Sequence, residues 1–243
     1  MRKADKNKLL VIVSISLLFF LAGCVDTGVQ VIPSTIDFTS QVKIINLAAG
    51  MGTANVSLKT ASGKTIPFSA IAFGSKSPLT AVPSGSAKLY VTYTTGGPDT
   101  IQVLAQTYYK MNFFIVSADG KKGSVVANLS RYIQSAGDTS IYKEGVAQIT
   151  FFNGSPDGSL TSVSAVLGSD TSAIALESSL AMGEGSSSFV GLKPGNYKFI
   201  LTASDGNTDS QTTVTANLTE KNRYTVIVYD KMGSIKSTVL TDD

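Results

Sequence analysis

The two halves of this 243-residue chain carry the same landmarks in the same order, so the fold must be one that the sequence can build twice. Each half has an apolar run that ends in Asn, then a Gly in a turn, a Gly shortly after a Pro, and a closing apolar run followed by Asp. The matched landmarks are Asn46 and Asn153, Gly74 and Gly183, Gly85 and Gly195, and Asp119 and Asp230. Their offsets drift only from 107 to 111 residues, which predicts two copies of one domain.

Within each copy, apolar and polar residues alternate as they do in half-buried β-strands. The clearest examples place Leu89, Val91 and Tyr93 on one face of residues 87–94, and Tyr197, Phe199 and Leu201 on one face of residues 197–203. No long amphipathic helix is indicated beyond the N-terminal segment. About 90 residues with about seven or eight short strands are typical of a small β-sandwich. The sequence therefore predicts an all-β fold of two tandem immunoglobulin-like or transthyretin-like β-sandwich domains.

Composition along the chain sets the predicted domain boundaries. Residues 24–40 pass through Gly28, Pro33 and Ser34 without periodicity and are expected to form a tether. The first sandwich is predicted at 41–130 and the second at 146–243, joined by a linker at 131–145. The linker begins and ends with apolar residues that we expect to pack one domain on the other: Tyr132, Ile133, Ile141 and Tyr142.

The motifs of the second copy resemble those of the bacterial domain-of-unknown-function family 4397. They are Asn153-Gly154-Ser155-Pro156-Asp157, the mid-domain turn at Gly183, Pro194-Gly195-Asn196-Tyr197 and Tyr224-Thr225-Val226. The first copy departs at three of these places, with Ala48-Ala49, Ser86-Ala87 and Phe113-Phe114. The resemblance implies tandem domains in exported or lipid-anchored proteins, and it brings no catalytic residue with it.

The N-terminus has the parts of an export signal. Four basic residues precede an apolar stretch of 13 residues, from Leu9 to Leu21. A helix needs about 20 residues to cross the hydrocarbon core of a membrane, so this stretch is typical of a cleaved signal peptide, here residues 1–23.

Cys24, the only cysteine of the chain, directly follows Leu21, Ala22 and Gly23. These four residues resemble the bacterial lipobox. The resemblance implies cleavage before Cys24, a diacylglycerol on its sulfur and a further acyl group, such as palmitate, on the new amino terminus. Several acyl chains hold a protein on a membrane stably. The alternative is an uncleaved anchor in which the cysteine is incidental.

The predicted location is therefore the cell envelope, where the protein is bound to the membrane through covalent lipid at Cys24. Val25, rather than Asp, follows the cysteine, which under the enterobacterial sorting rule resembles an outer-membrane or cell-surface destination in a Gram-negative cell.

The net charge of +3 also belongs to the signal, which carries four basic residues and Asp5. The remaining chain is formally neutral. Nucleic-acid binding needs a surplus of clustered Lys and Arg, so we expect no nucleic-acid partner.

The chain contains no histidine, which removes Ser-His-Asp and Cys-His catalysis and the usual imidazole metal sites. Three weaker motifs have simpler explanations. Ser140 and Lys143 have S-x-x-K spacing but lie in the linker. Gly63-Lys64-Thr65 has Leu58 where a phosphate loop needs its first glycine, so Ser62-Gly63 is predicted to be a hairpin turn. Asp205-Gly206-Asn207-Thr208-Asp209 begins like a calcium loop but has Ser210 and Ala216 at its sixth and twelfth positions, so a polar hairpin turn is favoured over a weak calcium site.

Two kinds of side chain leave other functions open. The carboxylates of Asp157, Glu177 and Glu184 could meet in space, as glycoside hydrolysis requires. Outward tyrosines could bind sugars or a protein, although core and cross-strand packing is favoured. The tyrosines considered are Tyr90, Tyr93, Tyr108, Tyr109, Tyr197, Tyr224 and Tyr229.

The leading hypothesis is a non-enzymatic, lipid-anchored envelope protein whose tandem sandwiches serve as an interaction or spacer module, with no catalytic residue, metal or cofactor. Its partner would be an envelope protein or a glycan. The alternative is a carbohydrate- or peptide-binding surface lipoprotein, and a carboxylate-based hydrolase is a distant third.

Overall fold

The computed structural model describes residues 38–107, 109–117, 123–132, 144–177 and 179–241, and every regular element within them is a β-strand. The first half contains β1 (Thr39–Leu47), β2 (Ala54–Thr60), β3 (Thr65–Ile71), β4 (Thr80–Pro83), β5 (Gly85–Tyr93), β6 (Asp99–Ala105), β7 (Tyr109–Ser117) and β8 (Gly123–Tyr132). The second half contains β9 (Ala147–Gly154), β10 (Ser159–Leu167), β11 (Ile174–Glu177), β12 (Val190–Leu192), β13 (Gly195–Ser204), β14 (Asp209–Leu218), β15 (Arg223–Tyr229) and β16 (Lys236–Thr241).

The two halves have the same topology. In the first, one sheet has the order β4-β1-β7-β8 and the other β3-β2-β5-β6; in the second, the orders are β12-β9-β15-β16 and β11-β10-β13-β14. β1 runs parallel to β7, as β9 runs parallel to β15, while the other pairs are antiparallel. The predicted all-β fold of two tandem sandwiches is confirmed.

Each sandwich closes over its own apolar core. Leu89, Val91 and Tyr93 face inward in β5, and Tyr197 and its two alternate neighbours do so in β13, as their alternation predicts. β1 begins at Thr39, two residues before position 41, where the first sandwich was predicted to begin, so Thr39 and Ser40 belong to the sandwich and not to the predicted tether. The extension is held by pairing of Thr39 with Pro83 of β4.

The sheets β4-β1-β7-β8 and β12-β9-β15-β16 are called the central sheets, because their inner strands β1, β7, β9 and β15 bury both faces. The last six residues of β1 and the last seven of β7 are all buried, whereas β5 alternates strictly between buried and exposed. A strand with both faces covered has a continuous apolar run, and a strand with one solvent face alternates. The sheets that contain β5 and β13 are called the outer sheets.

The second faces of the two central sheets meet each other. Ile45, Leu47, Phe114 and Val116 from the first sandwich form one buried cluster with Phe152, Ile227 and Leu240 from the second. The rings of Phe114 and Phe152 stack with centroids 4.0 Å apart and an 18° angle between planes. Residues Phe38–Asp243 accordingly form one compact unit. The side chains of the linker residues expected to join the domains lie outside the described part of the structure. The described interface is therefore formed by the two central sheets.

Equivalent faces of the two repeats form this interface. Ile115 lies opposite Asn46 in the β1–β7 ladder, and Val228 lies opposite Asn153 in the β9–β15 ladder. The offset in the closing strand is therefore 113 residues, not the 111 predicted from sequence, and Phe114 corresponds to Ile227. Asp119, the landmark used in that prediction, lies outside the described residues.

A fully buried asparagine joins the two sheets of the first sandwich. Asn46, near the end of β1, donates from Nδ2 to the carbonyl oxygens of Gly52 and Ile71, each at 2.9 Å. Its Oδ1 accepts from the N–H of Ala48 at 3.1 Å. One side chain thus satisfies three backbone groups at the point where the chain leaves one sheet for the other.

Asn153 does the same in the second sandwich. Its Nδ2 donates to the carbonyl oxygens of Gly158 and Leu180, each at 2.9 Å, and its Oδ1 accepts from the N–H of Ser155 at 3.0 Å. The repeat predicted from the two asparagines is therefore reproduced hydrogen bond by hydrogen bond.

The glycine landmarks Gly74 and Gly183 complete the same junctions. Each has a φ of 75°, a left-handed conformation that glycine adopts without a Cβ penalty. Their N–H groups donate to the carbonyl oxygens of Asn46 and Asn153, at 2.8 and 2.7 Å. A side chain on Gly74 would also approach the ring of Tyr229 to 3.0 Å, so this position is restricted by packing as well as by φ.

We expect Asn153→Ala to lower the free energy of unfolding by about 3 kcal/mol, because it removes the hydrogen-bond partner of two buried backbone groups, the Gly158 carbonyl and the Ser155 N–H. It also removes one of the two hydrogen bonds that the Leu180 carbonyl accepts. Urea unfolding followed by circular dichroism measures the change. Asn217→Ala, at an exposed position of β14, is the matched control and should shift stability by less than about 0.5 kcal/mol. Equal effects of the two substitutions would contradict the role given to Asn153.

We expect Phe114→Ala and Phe152→Ala each to destabilise the protein by about 3 kcal/mol, because each opens a cavity in the shared cluster. The double variant should lose about 1 kcal/mol less stability than the sum of the two single losses, because each single substitution already removes the stacking between the two rings. Phe38→Ala, at a side chain that is 49% exposed, is the control. Additive effects would show that the rings are not coupled across the interface.

Candidate functional site

Several residues singled out from the sequence lie outside the described residues. They are the lipobox residues Leu21, Ala22 and Gly23, the lipidation candidate Cys24, the linker pair Ser140 and Lys143, and Tyr108. In the part of the chain that is described, no helix has the length and hydrophobicity to cross a membrane.

Gly63 and Lys64 form the hairpin that connects β2 to β3. The N–H of Gly63 donates to the Thr60 carbonyl at 3.0 Å, and the N–H of Thr60 donates to the Lys64 carbonyl at 2.9 Å. Gly63 has a φ of 86°. The predicted hairpin turn is confirmed, and the backbone amides that a phosphate loop would offer are used inside the turn.

The segment from Asp205 to Asp209 is the polar hairpin turn between β13 and β14, as predicted. Asp205 Oδ1 accepts from the N–H groups of Asn207 and Thr208 at 2.8 and 2.7 Å. These two bonds lower the pKa of Asp205, because they favour the ionised carboxyl. Among the described residues, no group of three or more acidic, Cys or His side chains is arranged to hold a metal ion.

The three carboxylates considered for hydrolysis each support a local structure. Asp157 Oδ1 accepts from the N–H of Met232 at 2.9 Å. Glu177 Oε2 accepts from the hydroxyl of Ser186, and Glu184 Oε2 accepts from the N–H of Ala181, both at 2.9 Å. The last two bonds brace the segments around the Asn153 junction.

Asp157 lies in a groove with Asp205, and neither Glu177 nor Glu184 lines that groove. The groove lies at one end of the second sandwich, has a volume of about 590 Å³, and also involves Pro156, Thr161 and Met182. Hydrolysis of a glycosidic bond needs one carboxylic acid whose pKa is raised. The pKa of Asp205 is shifted in the opposite direction, so Asp205 is not suited to that role.

Most described tyrosines are packing residues, as favoured from the sequence. Tyr93 and Tyr197 lie in the two cores, and burial together with the charge of Asp99 raises the pKa of Tyr93 to about 12. Tyr224 is the second residue of β15, and its hydroxyl accepts from the N–H of Thr219 at 3.0 Å, in the manner of the tyrosine corner of immunoglobulin-like domains. Tyr229 packs edge-on against Phe73, with centroids 5.6 Å apart.

Tyr90 differs from these tyrosines. It lies on the solvent face of the outer sheet β3-β2-β5-β6 and is 37% exposed. A shallow groove of about 350 Å³ beside it is formed mainly by Lys59, Lys88, Ser86 and Gln102. Lys59 of β2 lies directly opposite Lys88 of β5 in the ladder.

This surface was missed in the sequence because its residues come from three strands. The signal available was only that Lys88 and Tyr90 share the polar face of an alternating strand. Their juxtaposition with Lys59 and Gln102 depends on the pairing registers, which local sequence does not reveal. The Lys59, Lys88, Tyr90 and Gln102 side chains are called the lysine–tyrosine patch.

No protein-family model and no curated protein sequence matches this chain. A candidate cell-adhesion protein from Bacteroides fragilis is similar in structure at 10% identity and a TM-score of 0.28, over 84% of this chain and 98% of its own. The tip fimbrial protein Mfa3 from Porphyromonas gingivalis gives 8% identity and a TM-score of 0.29, over 84% and 99%. The Bacillus anthracis TIE protein gives 12% identity and a TM-score of 0.26, over 79% of this chain and 34% of its own. TM-scores this low assign neither a family nor an activity.

We expect Asp205→Ala to lower the urea midpoint at pH 7, because the turn loses the carboxylate that holds two amides. The pKa of Asp205 is lower in the folded state than in the unfolded chain, so its carboxylate stabilises the fold above the unfolded pKa of about 3.9. That contribution is lost as the pH falls through the folded-state pKa. The difference between wild type and variant should therefore stay constant from pH 7 to about pH 4 and shrink below about pH 4. Asp209→Ala is the control, and a pH-independent difference for Asp205→Ala would argue against the assignment.

Proposed function

We propose that this protein is a non-enzymatic, lipid-anchored protein of the cell envelope, whose two joined sandwiches hold an interaction surface away from the membrane. The anchor is Cys24, and the proposal for it rests on the lipobox resemblance of residues 21–24 and the apolar stretch before them. Acylation at that position would leave the described sandwiches on the outer side of the membrane that carries the lipid.

The observation that carries the proposal is the buried layer between the central sheets. A flexible pair of domains would expose Phe114, Phe152 and Ile227, whereas here each is fully buried. An apolar contact between domains favours a fixed relative orientation over independent motion. A fixed pair suits a spacer, because its outer surfaces keep a constant position relative to each other.

The described carboxylates support a role without catalysis. Glu177, Glu184 and Asp157 hold backbone or hydroxyl groups of their own domain, and the pKa of Asp205 is lowered. Each of these four carboxylates accepts hydrogen bonds from its own sandwich, and the lowered pKa of Asp205 is opposite to the raised pKa that a general acid needs.

A second candidate function, binding of a carbohydrate or peptide, is favoured by one observation. The lysine–tyrosine patch places an aromatic ring and two cations on the solvent face of an outer sheet. The surface is compatible with the spacer role, because it lies on the sheet that does not take part in the domain interface.

We also propose that both sandwiches are members of the domain-of-unknown-function family 4397. The support is that its motif residues occupy structural positions in this fold. Asn153 joins the two sheets, Ser155 donates to Asn153 Oδ1, and Tyr224 forms the corner at the start of β15.

We expect Cys24→Ser to abolish metabolic labelling with a radioactive or alkyne-tagged palmitate and to release the protein from the membrane fraction. Cys24 is the only cysteine, so no other thiol can take the lipid. Val25→Ala, next to the modified residue, is the control and should be labelled like the wild type. A Cys24→Ser protein that is still labelled and still bound to membranes would refute lipid anchoring.

A further inference from the structure

Two lysines face each other on the outer sheet of the first sandwich without a counter-charge. Lys59 and Lys88 are directly paired across the β2–β5 ladder, and both are exposed. Directly opposed residues of an antiparallel pair have Cβ atoms about 5 Å apart, and like charges there are destabilising. Within the described part of the chain, neither lysine has a carboxylate within ion-pair distance. The arrangement gains stability when one anion lies between the two ammonium groups.

The same face carries no acidic side chain among the outward positions of β2, β5 and β6. These positions are Asn55, Ser57, Lys59, Ser86, Lys88, Tyr90, Thr92, Thr100, Gln102 and Leu104. Asp99 belongs to β6 but lies opposite the inward-facing Val91. Both charged side chains at these positions are thus positive, and their charge is complementary to an acidic ligand.

The other groups of the patch, the Tyr90 ring and the Gln102 amide, are suited to contact the ring and the hydroxyl groups of an acidic sugar. The exposed ring of Tyr90 lies two residues beyond Lys88 on the same face of β5, and an exposed aromatic face packs against the apolar side of a sugar ring. Gln102 lies opposite Lys88, and its Nε2 donates to Ser86 Oγ at 2.9 Å, which leaves the amide oxygen to accept from a hydroxyl. The groove volume of about 350 Å³ matches one or two sugar rings.

Other acidic partners fit this surface less well. A peptide that binds a sheet normally adds to an edge strand, whereas β2 and β5 are the inner strands of this sheet. An anionic membrane surface attracts a protein through clusters of about four to eight basic residues, and this face supplies two.

The second repeat supplies an internal comparison. Lys198 corresponds to Lys88, but it lies opposite Val166 and Thr215, and Ile200 stands in the place of Tyr90. The equivalent face of the second sandwich has a single lysine of this set and no exposed aromatic ring, although the fold is the same. The lysine–tyrosine patch is therefore a property of the first sandwich and not of the repeat.

We propose that the lysine–tyrosine patch binds an acidic glycan, with a carboxylate of a uronic acid between Lys59 and Lys88 and the sugar ring against Tyr90. This inference deepens the proposed function as an interaction surface held on the cell envelope, and it rests on that function because the patch must reach envelope glycans. The binding itself depends only on the first sandwich.

The test is calorimetric titration of the full chain in detergent with a trimer of galacturonic acid, and with maltotriose as the neutral control. We expect binding of the acidic trimer and none of maltotriose. Lys59→Gln and Lys88→Gln should each weaken binding about tenfold, because each removes one charge-assisted hydrogen bond. Tyr90→Ala should weaken binding about fivefold, and Lys88→Arg should retain most of it.

Lys198→Gln is the matched control, since it makes the same change of charge at the equivalent position of the second sandwich. It should leave the affinity unchanged. Thermal unfolding of each variant establishes that a loss of binding is not a loss of folding. The affinity should also fall as the salt concentration rises.

Three results would overturn the proposal: no binding of the trimer, an equal loss with Lys198→Gln, or binding to a polyglutamate peptide or phosphatidylglycerol vesicles that is tighter than binding to the trimer. Because the titration uses purified protein, its outcome is independent of lipidation. If the Cys24→Ser protein were still labelled and still bound to membranes, the proposed lipid anchoring would be refuted, and the binding result would be unaffected.

Discussion

The apolar layer between the two central sheets is the contact on which the rest of the structure depends. Each central sheet must cover two faces, one with its own outer sheet and one with the other domain. Neither Phe114 nor Phe152 could remain on the surface of an isolated sandwich without exposing a contiguous apolar patch, which single soluble domains rarely do. The two sandwiches therefore complete each other, much as the subunits of a dimer with an isologous interface do, but within one chain.

This arrangement explains why the repeat is so closely preserved at its junctions. Asn46 and Asn153 each bind the same three kinds of backbone group, and each is fully buried. A central sheet that is fixed on both faces tolerates little movement of the strands leaving it, so the crossing to the outer sheet must satisfy its backbone without solvent. The asparagine amide supplies two donors and an acceptor within one side chain, a combination that no apolar or hydroxyl side chain offers.

The all-β class and the inward faces of β5 and β13 were predictable because they are local patterns of period two, and the repeat was predictable because its landmark residues recur in the same order at a nearly constant offset. The register of the closing strand was not. A shift of two residues keeps every side chain on the same face, so matching Phe113 with Tyr224 and matching it with Val226 give identical alternation. Only the ladder partners Asn46 and Asn153 distinguish the two alignments. The domain interface had a signal in the unbroken apolar run from Phe113 to Val116. The lysine–tyrosine patch had only the alternation that places Lys88 and Tyr90 on one face, because the positions of Lys59 and Gln102 beside them depend on long-range pairing.

The central and outer sheets differ in how well they tolerate amino-acid substitutions. A substitution in a central sheet affects two packed layers at once, while an outward position of β2 or β5 contacts solvent and its immediate neighbours. Lys59 and Tyr90 in the first sandwich correspond to Val166 and Ile200 in the second, and both sandwiches keep the same strand order. The outer faces have thus diverged while the central faces have kept their apolar character. A duplicated domain fixed in this way can acquire a binding surface on one copy, because the other copy and the shared layer continue to hold the fold.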